Sequence, residues 1–119
     1  RMDSERLIIT PEACEIINKA KNSGKKVLAV GTTVLRGLET YVTTTHEVKP
    51  YDGWTNKFIF PPYEFSVPDA VVSNFHLPES TMLMAVAAFG GFDHVMNAYQ
   101  VALDEGYRFG PYGDAMLVV

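Results

Sequence analysis

The spacing of hydrophobic and polar residues over the first forty positions predicts a helix, a buried strand and a second helix. Thr10 followed by a proline is typical of a helix start, because threonine caps free amide groups and proline suits the first turn. Apolar residues then recur at helical spacing until Ser23 and Gly24, where we expect the helix to end. Residues 26–30 form a short apolar run typical of a strand, and Gly31 separates it from a second amphipathic helix.

The rest of the chain predicts three more strands and two more helices. The strands are expected over 57–60, 70–75 and 115–119, and the helices over 81–89 and from Phe92 to Gly106. The first of these helices is apolar on all sides, so we expect protein to enclose it, with Ser80 as its cap.

The order of these elements predicts the α/β class, with a mostly parallel sheet flanked by helices. The 119 residues contain no internal repeat, no low-complexity segment and no flexible linker, so residues 1–119 are expected to form a single structural unit. The chain starts at Arg1 and ends directly after an apolar stretch, and we therefore expect it to be a piece of a longer protein.

Composition narrows the class of protein. Apolar residues make up 47% of the chain and charged residues 20%, values typical of a folded domain and not of a disordered tail. The longest strictly apolar run, 82–89, is far shorter than the roughly 20 residues that span a bilayer, so no membrane association is expected. No export leader is recognisable, and a lone cysteine, Cys14, excludes an internal disulfide and fits the cytoplasm.

The formal net charge of −4 argues against a surface that coats nucleic acid generally. The one dense basic stretch lies around the predicted end of the first helix, where cations interact favourably with the helix dipole. A solvated helix end is therefore favoured over an RNA-facing role for this stretch, which consists of Lys19, Lys21, Lys25 and Lys26.

The first candidate site follows the first predicted strand. Gly31 lets backbone amides approach a ligand, and the start of the next helix favours an anion. Thr32 and Thr33 add hydroxyl groups, and Arg36 lies on the same side of the helix as Thr32. Glu39 lies three residues beyond Arg36, so the competing interpretation is a plain surface ion pair.

The second candidate site lies where the strand predicted over 70–75 ends. Asn74 and His76 place an amide and an imidazole at a strand end, where open α/β sheets usually hold ligands. Histidine titrates nearest neutrality and is the natural proton carrier. The competing interpretation is that His76 only bonds backbone in a buried turn, while Ser80 caps the next helix.

The third candidate site is the segment 107–114. Arg108 is suited to hold an anion, and aromatic faces such as that of Tyr112 can stack on a base. Asp114, next to Gly113, lies at the start of the final predicted strand and suits either a cap or a ligand contact. Turn formation alone also explains the glycines and the proline here.

A metal site and a cysteine nucleophile are not expected. His46, His76 and His94 are far apart in sequence, and none is spaced with Cys14 like a known metal ligand set. His94 is predicted on the solvent side of its helix, and the neighbours of Cys14 indicate packing.

Three groups of segments match one known family in order and spacing over nearly the whole chain. They are Val30–Thr33 with Arg36, Leu38 and Glu39; Phe58–Pro61 with Val72–Thr81; and Asn97–Tyr99 with Tyr107–Phe109 and Tyr112–Met116. In these segments the chain resembles the S-adenosylmethionine:tRNA ribosyltransferase-isomerase family.

The resemblance implies a reaction of queuosine biosynthesis. The family transfers and isomerises the ribosyl part of S-adenosylmethionine onto 7-aminomethyl-7-deazaguanine at the tRNA wobble position, and it releases adenine and methionine as epoxyqueuosine forms. It implies no metal and no added cofactor, because S-adenosylmethionine is itself a substrate. It also implies that residues 1–119 are the C-terminal part of the larger α/β domain of a two-domain enzyme. The N-terminal portion and an inserted β-barrel would then lie outside this chain, and the piece alone would be inactive.

The resemblance places the site residues in one pocket beyond the carboxyl edge of the sheet. Such a reaction needs a general base, for which His76 is the first choice, with Glu39 and Asp114 as alternatives. Donor binding is expected from Gly31, Thr32, Thr33 and Arg36, and orientation of the ribose or base from Asn74, Tyr112 and Gly113. The alternative function is a noncatalytic binding or scaffolding module whose polar motifs only shape loops.

Overall fold

The computed structural model describes residues 4–40, 47–55, 59, 61–77 and 80–119. Within these residues the chain forms five strands and four helices, which confirms the α/β class. In chain order they are β1 (Glu5–Ile9), α1 (Pro11–Asn22), β2 (Leu28–Val30), α2 (Thr32–Thr40), β3 (Tyr51–Thr55), β4 (Ala70–Asn74), α3 (Thr81–Gly90), α4 (Phe92–Asp104) and β5 (Ala115–Val118).

Two helix starts form as the sequence predicts. The Thr10 hydroxyl accepts a hydrogen bond from the Ala13 amide at 3.1 Å, and the Ser80 hydroxyl accepts one from the Leu83 amide at 3.1 Å. Each side chain satisfies an amide that the helix itself leaves unpaired, which fixes where α1 and α3 begin.

The three-stranded sheet has the order β2-β4-β5 and carries the candidate sites. β2 and β4 are parallel, with Val30 opposite Val72, whereas β4 and β5 are antiparallel, with Asn74 opposite Ala115. The predicted mostly parallel sheet is therefore wrong for the described residues. Two helices, α3 and α4, separate β4 from β5, so the chain reverses once more than in a strand–helix–strand unit and β5 returns antiparallel.

A second, two-stranded sheet pairs β1 with β3 in antiparallel fashion, with Leu7 opposite Gly53. The sequence did not predict either strand, because β3 contains an aspartate and a glycine and its partner lies more than forty residues away. The strand predicted over 57–60 lies outside the described residues except for Ile59, whose side chain is buried.

The apolar core has two parts. One lies between α1, α2 and both sheets, and the other surrounds α3 and α4 and includes Phe75. α3 is enclosed as predicted, because Leu83 and residues 85–87 are buried. Along β4 the burial alternates, so Val71 and Ser73 face the interior while Ala70, Val72 and Asn74 are partly exposed. No helix in the described part of the chain has the length and apolar character to cross a bilayer.

Candidate functional site

The first two candidate sites, which follow β2 and β4, lie at the same edge of the three-stranded sheet. Because β2 and β4 are parallel, Gly31 and Asn74 both lie at its carboxyl edge, and the Gly31 amide donates to the Val72 carbonyl at 2.8 Å. Gly31 has a φ of +98°, a backbone angle that residues with a side chain rarely adopt. The space that a Cβ atom would occupy at Gly31 is open. Thr32 is buried at the start of α2, and Thr33 is exposed beside it. This edge therefore offers an open backbone position and a helix start.

The third candidate site, the segment 107–114, is joined to the second by hydrogen bonds that involve backbone atoms. The Asp114 carbonyl accepts from the Phe75 amide at 3.2 Å and from the Asn74 side-chain amide at 3.3 Å. The Gly110 amide donates to the Phe75 carbonyl at 2.9 Å. The segment 107–114 is thereby fixed against the end of β4, as the resemblance implies.

A cluster of four aromatic rings supports this junction. Phe75 lies 5.2 Å from Tyr99, 5.2 Å from Phe109 and 5.8 Å from Tyr107, measured between ring centroids. Tyr99 and Phe109 are 5.6 Å apart with nearly perpendicular rings. Edge-to-face pairs of this kind add to the stability gained by burial, so β4, α4 and the segment 107–114 hold one another in place.

A cavity of about 620 Å³ opens beside this cluster. Most of its wall is apolar, with an amide, an imidazole and a hydroxyl added, which is the usual composition of a site for a small organic ligand. The lining residues are Asn74, His76, Leu77, Ser80, Met82, Phe109, Gly110 and Pro111.

His76 is held at two points on the wall of this cavity. Its Nε2 atom lies 2.8 Å from the Ser73 hydroxyl, and its backbone amide donates to the Tyr99 hydroxyl at 2.9 Å. Burial lowers the pKa of His76 because the charged imidazolium loses water, so the ring is neutral at neutral pH and able to accept a proton. The sequence analysis missed Ser73, although a hydroxyl three residues before a candidate base was a signal that could have identified it.

Ser80 has the structural role that the competing interpretation gave it, since its hydroxyl caps α3. His76 combines both interpretations: it is hydrogen-bonded within a turn and also lines the cavity. Both residues line the cavity, but the Ser80 hydroxyl is already engaged as the cap of α3.

The Arg36 side chain points away from the edge of the three-stranded sheet and towards β1. Its side chain is only 4% exposed, and Nη2 donates to the Glu5 carboxylate at 3.0 Å and to the Thr33 hydroxyl at 3.4 Å. The competing interpretation of a plain surface ion pair between Arg36 and Glu39 is wrong, because both side chains are buried.

Glu39 is buried in a different part of the molecule. Its carboxylate accepts hydrogen bonds from the Ser66 amide at 3.0 Å, the Val67 amide at 2.9 Å and the Tyr63 hydroxyl at 3.0 Å. Burial and the nearby carboxylate raise the pKa of Tyr63 to about 12, so this hydroxyl stays protonated and donates. Glu39 thus fixes the segment 63–67 and does not line the cavity at His76.

Tyr112, Gly113 and Asp114 belong to the turn that follows the lining residues Gly110 and Pro111, and they do not line the cavity themselves. The Asp114 carboxylate accepts from the Arg108 amide at 2.7 Å, which closes the turn. A Cβ atom at Gly113 would lie 2.5 Å from the Arg108 carbonyl oxygen, so the turn requires glycine there. The Tyr112 side chain is 99% exposed.

The other polar candidates lie away from this edge. Within the described ranges, no group of three or more histidine, cysteine or acidic residues is placed to hold a metal ion. Cys14 is buried, and burial raises the pKa of its thiol, as expected for a packed residue. His94 is exposed on α4 as predicted, and His46 lies outside the described residues.

The basic stretch at the end of α1 has one paired member and three exposed ones. Lys21 Nζ lies 3.3 Å from the Asp69 carboxylate, and the side chains of the remaining three lysines are exposed. This agrees with the predicted solvated helix end.

Comparison with known proteins gives one consistent result. A family model described as queuosine biosynthesis protein matches residues 1–118. Proteins named S-adenosylmethionine:tRNA ribosyltransferase-isomerase are 63% identical in Bacteroides fragilis and 50% identical in Flavobacterium psychrophilum, each over the whole chain and 34% of the relative. The crystal structure of S-adenosylmethionine tRNA ribosyltransferase from Thermotoga maritima matches 94% of this chain and 39% of its own, with 46% identity and a TM-score of 0.87. The chain therefore spans about one third of the length of these curated relatives.

Proposed function

Since this chain belongs to the queuosine biosynthesis protein family, we propose that it is the C-terminal part of the catalytic domain of a tRNA-modifying enzyme. The enzyme transfers and isomerises the ribosyl part of S-adenosylmethionine onto 7-aminomethyl-7-deazaguanine at the tRNA wobble position. The observation that carries this proposal is the cavity at His76, where two sequence-distant polar segments meet at the carboxyl edge of β4. The two-domain organisation and the cytoplasmic location belong to the same proposal.

The donor is proposed to lie along the edge from Gly31 to the cavity. Gly31 leaves its backbone open to a ligand, and the first amides of α2 favour the methionine carboxylate of the donor. Thr32 and Thr33 are the first two residues of α2, and their hydroxyl groups are proposed to add contacts to the same carboxylate. Arg36 then acts on the donor site through Thr33, to which it donates, as well as by its charge.

His76 is proposed as the general base. It lines the cavity, it is neutral at neutral pH, and both alternative bases are engaged elsewhere in the structure. The carboxylate of Glu39 accepts hydrogen bonds from three donors in the segment 63–67, and that of Asp114 closes a turn. A general base must reach the proton that it removes, and of these three side chains His76 is the one that lines the cavity.

The acceptor nucleobase is proposed to enter past the segment 107–114. The Asn74 amide and the ring of Phe109 line the cavity, and Tyr112 and Gly113 follow the lining residues Gly110 and Pro111 along the chain. An amide suits the polar edge of a base, whereas an aromatic ring suits its face. No metal and no added cofactor take part in the proposed reaction, in which S-adenosylmethionine is a substrate.

We propose that most of the surface that binds tRNA lies in the part of the full-length protein outside this chain. A net charge of −4 provides few of the cations that phosphate groups require. We expect tRNA affinity and its salt dependence to be much greater for a full-length protein than for residues 1–119 alone. Equal affinities with equal salt slopes would contradict this division of labour.

The proposed base is tested by single-turnover kinetics on the full-length protein. His76→Ala is expected to slow the chemical step by about 10²–10⁴-fold, the usual contribution of a general base. His94→Ala, an exposed histidine on α4, is the matched control and is expected to react normally. Near-normal chemistry in His76→Ala would overturn the base assignment.

Donor binding is tested separately with Arg36→Ala. The expected result is weaker binding of S-adenosylmethionine with a smaller effect on the chemical step. If neither His76→Ala nor Arg36→Ala changed binding or chemistry in a folded protein, the chain would instead be a scaffolding module.

A further inference from the structure

Ser73 is a buried hydroxyl in the middle of the three-stranded sheet. It is 2% exposed and occupies a position on β4 whose neighbours on the same face, Val71 and Phe75, are apolar. A hydroxyl at such a position is costly unless it is hydrogen-bonded. Its two contacts are the Asn74 carbonyl oxygen at 3.0 Å and His76 Nε2 at 2.8 Å.

The donor and the acceptor in each of these two contacts follow from the number of protons and lone pairs on the Ser73 hydroxyl. A serine hydroxyl has a single proton to donate and two lone pairs to accept with. The carbonyl of Asn74 can only accept, so both contacts are hydrogen bonds at the same time only if Ser73 donates its proton to that carbonyl. The contact of 2.8 Å to His76 is then a hydrogen bond only if Nε2 carries a proton and donates it to Ser73 Oγ.

This arrangement selects one form of the neutral imidazole. A neutral ring has one protonated nitrogen and one nitrogen with a free lone pair. With the proton on Nε2, the lone pair that can accept a proton lies on Nδ1. The Tyr99 hydroxyl holds the backbone amide of the same residue, so the ring and the main chain of His76 are fixed independently.

We propose that Ser73 is a positioning residue that holds His76 in the tautomer with the proton on Nε2, so that Nδ1 is the atom that accepts the proton in the reaction. This inference rests on the proposed function of His76 as the base. It adds to it the identity of the reacting nitrogen and a second residue that sets it.

The tautomer is tested by NMR on the full-length protein labelled with ¹⁵N-histidine, at a pH where His76 is neutral. The His76 signals are assigned by their loss in His76→Gln. The expected wild-type pattern is a protonated Nε2 and an unprotonated Nδ1, and Ser73→Ala is expected to increase the other tautomer at least about threefold, because one hydrogen bond is lost. A protonated Nδ1 in the wild type, or ring shifts that are unchanged in Ser73→Ala, would overturn the proposal.

Single-turnover kinetics provides the second readout. Ser73→Ala is expected to slow the chemical step about tenfold while the affinity for S-adenosylmethionine stays within about twofold. Ser73→Thr keeps the hydroxyl group and is expected to restore the ring shifts and most of the rate. Equal losses in Ser73→Thr and Ser73→Ala, with wild-type ring shifts in both, would assign Ser73 a packing role only.

Asn18→Ala is the control for loss of stability. The Asn18 side chain bonds the backbone of Val48 twice, at 3.0 and 2.8 Å, and lies on α1. It is expected to destabilise the fold without changing the His76 ring. If His76→Ala kept its chemistry, the base assignment would fail, while the ring shifts would still decide whether Ser73 sets the tautomer.

Discussion

Glu39 and His76 are two polar groups that the fold removes from water in different ways. Glu39 is 2% exposed, and its carboxylate accepts three hydrogen bonds from the segment 63–67. His76 is partly buried, has one ring nitrogen bonded to Ser73, and lines a cavity of about 620 Å³. Burial alone therefore does not separate the residue proposed as the base from the structural one; the two differ in whether the surrounding donors and acceptors leave part of the group open to the cavity.

The largest expected effect tests the structural side of this comparison. Glu39→Ala leaves the amides of Ser66 and Val67 and the Tyr63 hydroxyl without their acceptor, so we expect the free energy of unfolding to fall by about 3 kcal/mol. Urea denaturation measures this change. Glu64→Ala, an exposed neighbour, is expected to change it by less than about 0.5 kcal/mol. A stable Glu39→Ala protein that had lost only the chemical step would reverse the roles proposed for Glu39 and His76.

An intermediate effect is expected at the wall of the cavity. Gly113→Ala would place a methyl group 2.5 Å from the Arg108 carbonyl oxygen and should cost about 2 kcal/mol through overpacking. Because the turn forms part of the cavity wall, binding of the acceptor base should weaken as well. Gly24→Ala, at a glycine with positive φ and open space, is expected to affect stability alone. Unchanged acceptor binding in Gly113→Ala would separate this turn from the site.

The smallest expected effect concerns pH. Burial lowers the pKa of folded His76, so as pH falls below about 6.5 the unfolded chain takes up the proton first. The contribution of His76 to the free energy of unfolding is therefore fully present above about pH 6.5, and it is lost as the pH falls towards the pKa of the folded state. His76→Gln should remove this slope from the unfolding free energy, whereas His94→Gln should leave it unchanged. An identical slope in both variants would mean that burial of His76 does not carry it.

Much of the fold was predictable because it depends on local signals. The caps at Thr10 and Ser80, the apolar run of α3 and the amphipathic pattern of α4 all report interactions within one turn of helix. The sheet was predicted less well. β1 and β3 stabilise each other across more than forty residues, and neither has a strong pattern by itself. The antiparallel direction of β5 depends on how α3 and α4 pack, and the spacing of hydrophobic residues along the chain does not report that packing.

The sequence brought two of the three candidate segments together, whereas Arg36 and Glu39 lie elsewhere. The residue types at Asn74 and His76 pointed to the strand end, because open α/β sheets usually bind ligands at the carboxyl ends of their strands. For Arg36 and Glu39 the spacing left both a ligand role and a surface ion pair open, because it places them on neighbouring helix positions. Their true partners, Glu5 and the amides of 66–67, come from distant segments, and only the folded chain reveals them.

The alternation along β4 determines which changes of length this strand tolerates. Val71, Ser73 and Phe75 point to the interior, whereas Asn74 pairs opposite Ala115 and reaches the cavity. Inserting or deleting a single residue within the strand would exchange these two sets, bringing apolar side chains to the cavity and an amide to the core. Protein engineering of this region should therefore use substitutions that keep the strand length constant.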